Sequence, residues 1–490
     1  MSSPDNPICA TAVAESLDIA ARGRVLAVLT LWFCMALIDV GIVNVALPSI
    51  QRDLGATPSD LQWILSGYTL SFGAVLIAAG RAGDIVGHGA LFVAGLTLFT
   101  VASLAEALAP TPLALNAMRF VAGIGAGGMS PQVYGMVQRH FSGPERGRAF
   151  GALGVAAALS VAIAPPLGGF LIELGGARWG WRLAFLINVP IGLAGIVLVW
   201  LWFPRPLLRL EPPARVNGSG LLAALDPAGA LIAAFAVFAV LLPFVRFHRG
   251  ASPAVWVWLL AGAAAIQAWI GWERHLARTQ RPAMVDLKLF AASSFSHGLI
   301  VQLLYFLGMT SVWVLVALYA QEAIGLSAFA TGLLSVPSAV MAAVAAHWAG
   351  RRVHRWGRRL VIGGQVVALI GLALSVAVVL ANRQMGLSFA WIAATFAVYG
   401  WGQGATISPN QTLTLQDVPA AYAGSAGALV STTQRIGASV GIAIVTGVSF
   451  AVLAHASWTA ALLAGLGLIM LLVVAAIVVG VLDLRASNAG

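Results

Sequence analysis

Long apolar segments recur along the whole chain and are separated by short polar ones. Each is close to the roughly 20 residues that a helix needs to cross a bilayer. None shows the strict alternation typical of transmembrane β-strands. The pattern therefore predicts an all-α polytopic membrane protein with fourteen transmembrane helices, near residues 25–46, 61–80, 90–109, 112–135, 149–173, 182–203, 225–246, 253–272, 295–320, 328–349, 359–381, 388–408, 422–447 and 457–482.

The two most polar interruptions divide these spans into groups of six, two and six. One reads PRPLLRLEPPARVNGSG from Pro204, and the other reads ERHLARTQRPAMVDLKLF from Glu273. We therefore predict two six-helix bundles with two extra central helices. The predicted bounds are a cytoplasmic N-terminal tail at 1–24, a first bundle at 25–203, a linker with the two extra helices at 204–294, a second bundle at 295–482 and a C-terminal tail at 483–490.

The composition supports a membrane protein and excludes a soluble one. Hydrophobic residues make up 60% of the 490 residues and charged residues only 9%, too few to cover a soluble surface of this size. The net charge of +10 does not indicate nucleic-acid binding, because the arginines lie in short loops between apolar segments. The two cysteines, Cys9 and Cys34, imply no disulfide framework. The sequence contains no metal-ligand spacing, nucleophile elbow or phosphate loop.

The distribution of basic residues predicts the orientation. With a cytoplasmic N-terminus, most of the 27 Lys and Arg residues fall in the tails and inner loops, as the positive-inside rule requires. Fourteen spans return the C-terminus to the cytoplasm. Only six arginines then lie at the outer side, namely Arg52, Arg178, Arg182, Arg246, Arg249 and Arg383.

The two six-helix blocks contain a repeated loop. The segment GRAGDIVGHG begins at Gly80 and GRRVHRWGRR begins at Gly350. Gly80, Arg81 and Gly87 recur at a constant offset of 270 residues. Because parallel six-helix repeats are a known way to build transporters, with the binding site between the halves, we favour a true repeat over a chance likeness of two tight loops.

Asp39 and Arg119 are charged residues inside predicted spans of the first half. An aspartate at the bilayer centre costs about 2.5–3.5 kcal/mol on insertion scales. Burial disfavours an ionised carboxyl group, so Asp39 is suited to exchanging a proton; alternatively, it only hydrogen-bonds a neighbouring helix. Arg119 keeps its charge and needs a partner, for which Asp39 is one candidate. Snorkelling of Arg119 to a helix end is the other explanation.

The remaining acids of the spans are expected near helix ends, and they are Glu106, Glu173, Asp226 and Glu322. No second acid is therefore predicted near the membrane centre, and a neutral or anionic substrate is as compatible with the sequence as a cationic one. Arg435 is a second basic residue inside a span. Candidates for lining a substrate cavity, unless they face lipid or protein packing, are Asn44, Gln302, Tyr305 and Trp313.

Two further segments suggest moving parts. Asp84 lies near a helix end, where it could accept hydrogen bonds from exposed N–H groups of another helix, or it is simply solvated. In the fifth span, Pro165 and Pro166 cannot continue the helical hydrogen bonds and predict a kink. Small residues around them suit close packing against a facing helix.

These motifs together resemble the major facilitator superfamily, in particular its fourteen-helix drug:proton antiporter branch. The resembling segments are LIDVGIVNVALP, GRAGDIVGHG, RFVAGIGAG, ERGRAFG and WRLAFLINVPIG, in that order along the chain. Gly41 stands where the branch has Thr, Ala122 where it has Gln, and Ile85, His88 and Gly89 where it has basic residues. The antiporter signature G-x8-G-x3-G-P-x2-G-G falls on Gly151, Ser160, Ala164, Pro165, Gly168 and Gly169, with two of its glycines replaced by Ser and Ala.

The resemblance implies proton-driven export of drugs, antibiotics or other amphipathic small molecules across the bacterial inner membrane. Asp39 and Arg119 would couple transport to protons, with no cofactor, and the protein would act as a monomer. The alternatives are a proton-coupled uptake transporter and, from another class, a membrane enzyme or sensor. The implied gating loop consists of Gly80, Arg81, Gly83, Asp84 and Gly87.

Overall fold

The computed structural model describes residues 18–205, 225–246, 253–279, 281 and 283–489. Within these ranges the chain forms helices and their connections, with no strand. Most of the predicted N-terminal tail, residues 1–17, and most of the linker after the sixth span, residues 206–224, lie outside the described residues.

The first half contains six long helices. The longest of them, the fifth, is interrupted at Gly176, where the backbone leaves helical dihedral angles with φ of 62°. The bounds are α1 (Ile19–Leu54), α2 (Pro58–Val86), α3 (His88–Ala107), α4 (Pro112–His140), α5 (Gly143–Leu186) and α6 (Asn188–Trp202).

Eight further helices follow in the described residues. The first two correspond to the predicted extra pair, and the last six form the second half. Their bounds are α7 (Pro227–Arg246), α8 (Val257–Arg278), α9 (Ser293–Leu318), α10 (Ala328–Trp356), α11 (Arg358–Met385), α12 (Ile392–Thr414), α13 (Ala423–Leu453) and α14 (Trp458–Ala489).

Eleven stretches of these helices are long and apolar enough to cross a membrane, so the all-helical, multi-pass prediction is confirmed. The helices that fall short are α4, α8 and α12. In α4 and α12 the cause is a high content of glycine and polar residues, most of which are buried against other helices. Their polar character therefore serves packing inside the protein.

The two halves are packed together at only one end of the molecule. We call the end where α2 joins α3 the Asp84 end, and the end where α1 joins α2 the Asp53 end. At the Asp84 end one hydrophobic core crosses both halves and includes Phe150 of the first half and Phe295, Leu415 and Ala426 of the second. Towards the Asp53 end the halves have separate cores.

Backbone contacts close the Asp84 end. A Cβ atom built on Gly80 of α2 would lie 2.6 Å from the carbonyl oxygen of Gly424 at the start of α13. A Cβ atom on Gly350 of α10 would lie 2.5 Å from the carbonyl oxygen of Gly147 on α5. The two glycines that begin the repeated loops thus both sit at contacts between the halves, as expected for a repeated structural unit.

The extra pair packs on one side of the interface between the halves. Val237 and Leu241 of α7 lie against Gly73 of α2, and they share a core with Leu70 of α2 and Trp269 of α8. The pair therefore covers the α2 side of the contact between α2 and α13.

The kink predicted at Pro165–Pro166 stays a prediction, because helical dihedral angles continue through both prolines and a proline bends a helix within such angles. The backbone leaves the helical region at Gly176, near the Asp53 end, and not at the prolines. Consecutive prolines remove hydrogen-bond donors, but they are compatible with helical φ angles. Gly176 adopts a positive φ that other residues rarely tolerate.

Replacing Gly350 by alanine should loosen the Asp84 end. Its new Cβ would meet backbone atoms of Gly147 and Gly151, 2.5 and 2.9 Å away, and backbone cannot yield as a side chain can. Overpacking costs about 1–3 kcal/mol, so we expect a cysteine placed at Ala149, buried in this structure, to react with a soluble maleimide about tenfold faster. Labelling would be measured in a chain whose Cys9 and Cys34 are serine.

The matched control is Gly363→Ala on α11. No atom lies within 4 Å of a Cβ built at Gly363, so this variant should label like the parent chain. Equal labelling of the Gly350 and Gly363 variants would contradict the assignment of the glycine contact as the closure point.

Candidate functional site

A buried charge cluster lies inside the first bundle. Arg119 of α4 donates through Nη1 to Oδ2 of Asp39 on α1 at 2.9 Å. Asn188, the first residue of α6, donates to the other oxygen of Asp39 at 2.8 Å. The three side chains are at most 1% exposed. The structure therefore places Arg119 against Asp39 and not at a helix end.

Glu106 of α3 is the third charged member of the cluster. Its Oε1 lies 3.5 Å from the same Nη1 of Arg119, and the side chain is fully buried. The prediction that Glu106 lies near a helix end is confirmed, but its contact with the buried Arg119 was not predicted. Glu106 lies one residue from the end of α3, but that end is itself covered by the protein.

The cluster contains two carboxyl groups and one guanidinium. A single guanidinium balances one carboxylate, so a second ionised carboxylate would leave an uncompensated buried charge, which is strongly unfavourable. Oε2 of Glu106 has no hydrogen-bond partner among the described residues. The arrangement is therefore chemically suited to hold one proton shared between Asp39 and Glu106 and to release it when the surroundings change.

Aromatic and backbone groups complete the surroundings of Arg119. Its Nε donates to the carbonyl oxygen of Ile64 at 3.1 Å, and its guanidinium carbon lies 4.3 Å from the ring centre of Tyr68. Gly123, one turn further along α4, lets α4 approach α2, because a Cβ there would lie 2.5 Å from the Tyr68 carbonyl oxygen. The glycines after Arg119 thus position the guanidinium by permitting close helix packing.

Asp84 accepts three hydrogen bonds from the start of α13. The backbone N–H groups of Gly424 and Ser425 donate to it at 2.7 and 2.9 Å, and the Ser425 hydroxyl donates at 2.7 Å. A carboxylate is favoured at the first turn of a helix, where N–H groups lack intrahelical partners. This contact joins the halves at the Asp84 end beside the Gly80 crossing.

The other gating-loop positions surround Asp84. Arg81 is half-buried, Gly83 packs against the side chain of Gln132, and Gly87 ends α2 with φ of 108°. His88, which replaces a basic residue of the family motif, lies with Nε2 3.5 Å from Oδ1 of Asp84.

The repeat extends to a pair of equivalent polar contacts that sequence reasoning missed. Nδ1 of His88 lies 2.8 Å from Oε1 of Gln132, and Arg358 donates to Oδ1 of Asn410 at 2.5 Å. His88 and Arg358 begin the third helix of each half, and Gln132 and Asn410 each follow a Ser-Pro pair. His88 and Arg358 are separated by the same 270 residues as the repeated loops, and this offset could have predicted the equivalence from the sequence.

Gly41 and Ala164, two positions at which the chain departs from the family motifs, lie against each other in the structure. A Cβ on Gly41 of α1 would overlap the Cβ of Ala164 on α5, and a Cβ on Gly168 would lie 3.3 Å from the Cα of Ile42. In the family motifs that these segments resemble, Thr stands at the position of Gly41 and Gly at the position of Ala164. The exchange of small and large side chains keeps α5 close to α1, two residues from Asp39.

The rest of the antiporter motif faces other surroundings. Gly151 lies against α10, where a Cβ would be 2.9 Å from the Ala346 carbonyl oxygen. The hydroxyl of Ser160 donates to the Ala156 carbonyl oxygen within α5. No atom lies within 4 Å of a Cβ built on Gly169.

A cavity of about 490 Å³ lies between the halves, towards the Asp53 end. Pro165 of α5 borders it on one side and Trp313 of α9 on the other. Trp313 packs on Phe396, with ring centres 5.1 Å apart. The wall is mostly apolar, and its polar members are uncharged: Thr310, Gln321, Thr331, Ser335, Ser338, Gln403 and Ser408.

A second cavity of about 530 Å³ opens between α1, α2, α7 and α13. It also lies towards the Asp53 end, and its wall contains no charged residue. Its lining residues are Leu47, Pro48, Gln51, Leu61, Gln62, Leu65, Ser66, Thr69, Phe244, Ser439 and Ile442.

Three of the four predicted cavity residues do not border these two cavities. Gln302 and Tyr305 are buried in the closed part of the bundle, and Gln302 accepts a hydrogen bond from Asn410 at 2.9 Å. Asn44 is exposed and donates to the Val40 carbonyl oxygen of its own helix. Gln302 and Tyr305 lie nearer the Asp84 end of α9 than Trp313, where the halves already touch.

Arg435 of α13 occupies the interface between the halves. Its guanidinium carbon lies 3.8 Å from the ring centre of Phe72 on α2. The sequence indicated a basic residue inside a span, and the structure shows that it faces the other half and not lipid.

Comparison with known proteins agrees with this architecture. Residues 29–442 match the Major Facilitator Superfamily. The chain is 33% identical over 421 residues to the probable actinorhodin transporter of Streptomyces coelicolor, covering 86% of this chain and 71% of that protein. It is 30% identical over 419 residues to the cephamycin export protein CmcT of Amycolatopsis lactamdurans, covering 84% and 81%. It is 28% identical over 412 residues to the multidrug resistance protein Stp of Mycobacterium tuberculosis, covering 84% and 72%.

Solved structures share the fold at low sequence identity. The human organic anion transporter MFSD10 matches with a TM-score of 0.65 and 14% identity, covering 93% of this chain and 99% of that one. The proton:xylose symporter XylE matches with a TM-score of 0.63 and 16% identity, covering 94% of each chain. The family match over most of the chain, together with this fold, shows that the chain belongs to the major facilitator superfamily of membrane transporters.

Proposed function

We propose that this protein is a proton-coupled antiporter that exports amphipathic small molecules across the bacterial inner membrane. The buried cluster of Asp39, Glu106 and Arg119 carries the proposal, because its two acids share one guanidinium. The named export and multidrug resistance proteins at about 30% identity support the direction of transport. Fourteen transmembrane helices, no cofactor and a monomeric functional unit complete the proposal.

The distribution of basic residues supports a cytoplasmic Asp84 end. Both termini would then be cytoplasmic, and the Asp53 end would face outside. Closed contacts at Asp84 and the Gly147–Gly350 crossing, together with cavities near the other end, correspond to an outward-open conformation. An outside proton would enter from this side.

Protonation of Asp39 would change the balance of forces around Arg119. Glu106 remains as the counter-ion, while the ion pair that links α1 to α4 loses its charge. Since α5 packs on α1 through Gly41 and Ala164 and borders the cavity through Pro165, a shift of α1 is transmitted to the cavity wall. One charge crossing the membrane supplies about 2.3 kcal/mol per 100 mV.

Replacing Asp39 by asparagine should abolish proton-coupled efflux and leave the protein folded. Glu106 still neutralises Arg119, and the asparagine oxygen can still accept its hydrogen bond. In proteoliposomes, we expect the part of efflux that depends on a pH gradient to fall by about tenfold or more. The substrate would be a compound first identified by an efflux panel with and without a protonophore.

Asp53→Asn is the control on the same helix. Asp53 pairs with Arg182 near the Asp53 end, where the ion pair is partly exposed, and such pairs contribute little to stability. Its gradient-driven efflux should match the wild type. Unchanged counterflow and unchanged gradient-driven efflux in Asp39→Asn would rule out the coupling role.

Removing both acids should destabilise the protein far more than removing either one. Asp39→Asn combined with Glu106→Gln leaves the Arg119 charge buried without a carboxylate, at a cost of about 3–5 kcal/mol. Adding Arg119→Met should restore much of the loss, because no buried charge remains. The free energy of unfolding in detergent micelles would be compared across the series. Strict additivity of the two single changes would contradict a shared counter-ion.

A further inference from the structure

Arg435 differs from Arg119 in having no acidic partner. Within the described part of the chain, no carboxylate lies within ion-pair distance of its guanidinium and no side chain or carbonyl accepts a hydrogen bond from it. The guanidinium packs instead on the aromatic ring of Phe72. A permanent cation at this depth is expected to require a counter-ion.

The guanidinium of Arg435 is not sealed inside the protein. The residue is half-buried, and none of its nitrogen atoms is among the fully buried atoms that lack a partner. The group therefore retains accessible surface on its edges, while Phe72 covers one of its faces. Those free edges carry the N–H donors that bind a carboxylate in two parallel hydrogen bonds.

Arg435 is not itself in the wall of the cavity between α2 and α13, but it lies one helical turn before the α13 residues that line it. Ser439 and Ile442, four and seven residues further along α13, line that cavity, and this spacing places all three on one helix face. On the opposite wall, Thr69 lines the cavity and Phe72 lies three residues further along α2. The cavity wall supplies no carboxylate that could neutralise Arg435.

We propose that Arg435 is the anion-binding group of the substrate site, so that the exported compounds carry an ionised acidic group on an apolar body. This deepens the proposed export function and rests on it. The mostly apolar wall accommodates the body of the compound, and Arg435 pairs with its carboxylate or an equivalent acidic oxygen. Both acids of the charge cluster are fully buried and border neither cavity, so neither is placed to bind a cationic substrate.

The anion site and the proton site lie on the same face of α2. Arg119 stacks on Tyr68 at 4.3 Å and Arg435 stacks on Phe72 at 3.8 Å, and the two rings are 6.0 Å apart. An anion bound at Arg435 would therefore lie next to α2, the helix whose Tyr68 ring packs on Arg119 of the charge cluster. A purely structural role, in which Arg435 only holds α13 against α2, predicts no preference for acidic ligands.

The test compares two probes with the same apolar body, pyrenebutyrate and pyrenebutanol. Their binding to the purified full-length protein in lipid nanodiscs would be measured at neutral pH by energy transfer from tryptophan to pyrene. A charged hydrogen-bonded pair predicts about tenfold tighter binding of the carboxylate than of the alcohol. Arg435→Gln should remove this preference, and Arg435→Lys should keep part of it, since it retains the charge but not the planar fork.

Arg383→Gln is the matched control, because Arg383 is exposed in the last turn of α11 and does not lie on α2 or α13. It should keep the full preference. Equal affinities of the wild type for the two probes would overturn the proposal without any variant. If Arg435→Gln does not fold, a preference in Arg435→Lys equal to that of the wild type would argue against the planar pairing. No proton gradient is applied, so this result is independent of the Asp39→Asn transport assay.

Discussion

The structure depends on neutralising a guanidinium that is buried inside the first bundle and cannot lose its proton. Arg119 draws acids from α1 and α3 to one nitrogen atom, and it draws a carbonyl group and an aromatic ring from α2. Four helices are thereby tied to one charge. Because the two acids exceed the charge they balance, the proposed proton exchange would use the same interaction that holds the bundle together.

The Asp84 end and the Asp53 end differ in how the two halves contact each other. At the Asp84 end, glycine crossings bring backbones into contact, and Asp84 binds the free N–H groups of α13. These contacts lie close together at one end of the interface between the halves, so they can break and reform as a unit. Towards the Asp53 end, mostly apolar walls enclose space between the halves, and Arg435 lies one helical turn from Ser439 in the wall of one of these cavities. One end is therefore closed by contacts between the halves, and the other contains the cavities.

Sequence reasoning reached the helices and the Asp39–Arg119 pair because a charge in an apolar segment is visible without a structure. It missed Glu106 because position near a helix end does not reveal that the end is covered by neighbouring helices. It placed Gln302 and Tyr305 in the cavity because helical spacing gives a face but not a depth. The compensating pair Gly41 and Ala164 was visible only as two separate departures, since contact between α1 and α5 is a property of the packed bundle.

The central claim is that the Asp39–Glu106–Arg119 cluster holds one exchangeable proton. Infrared difference spectroscopy of the purified protein in lipid measures this directly, because a protonated carboxyl group has a carbonyl band that an ionised one lacks. The account predicts such a band in the wild type at neutral pH, and its loss in both Asp39→Asn and Glu106→Gln, where one carboxylate remains to balance Arg119. Absence of the band in the wild type, or its persistence in both variants, would contradict the account.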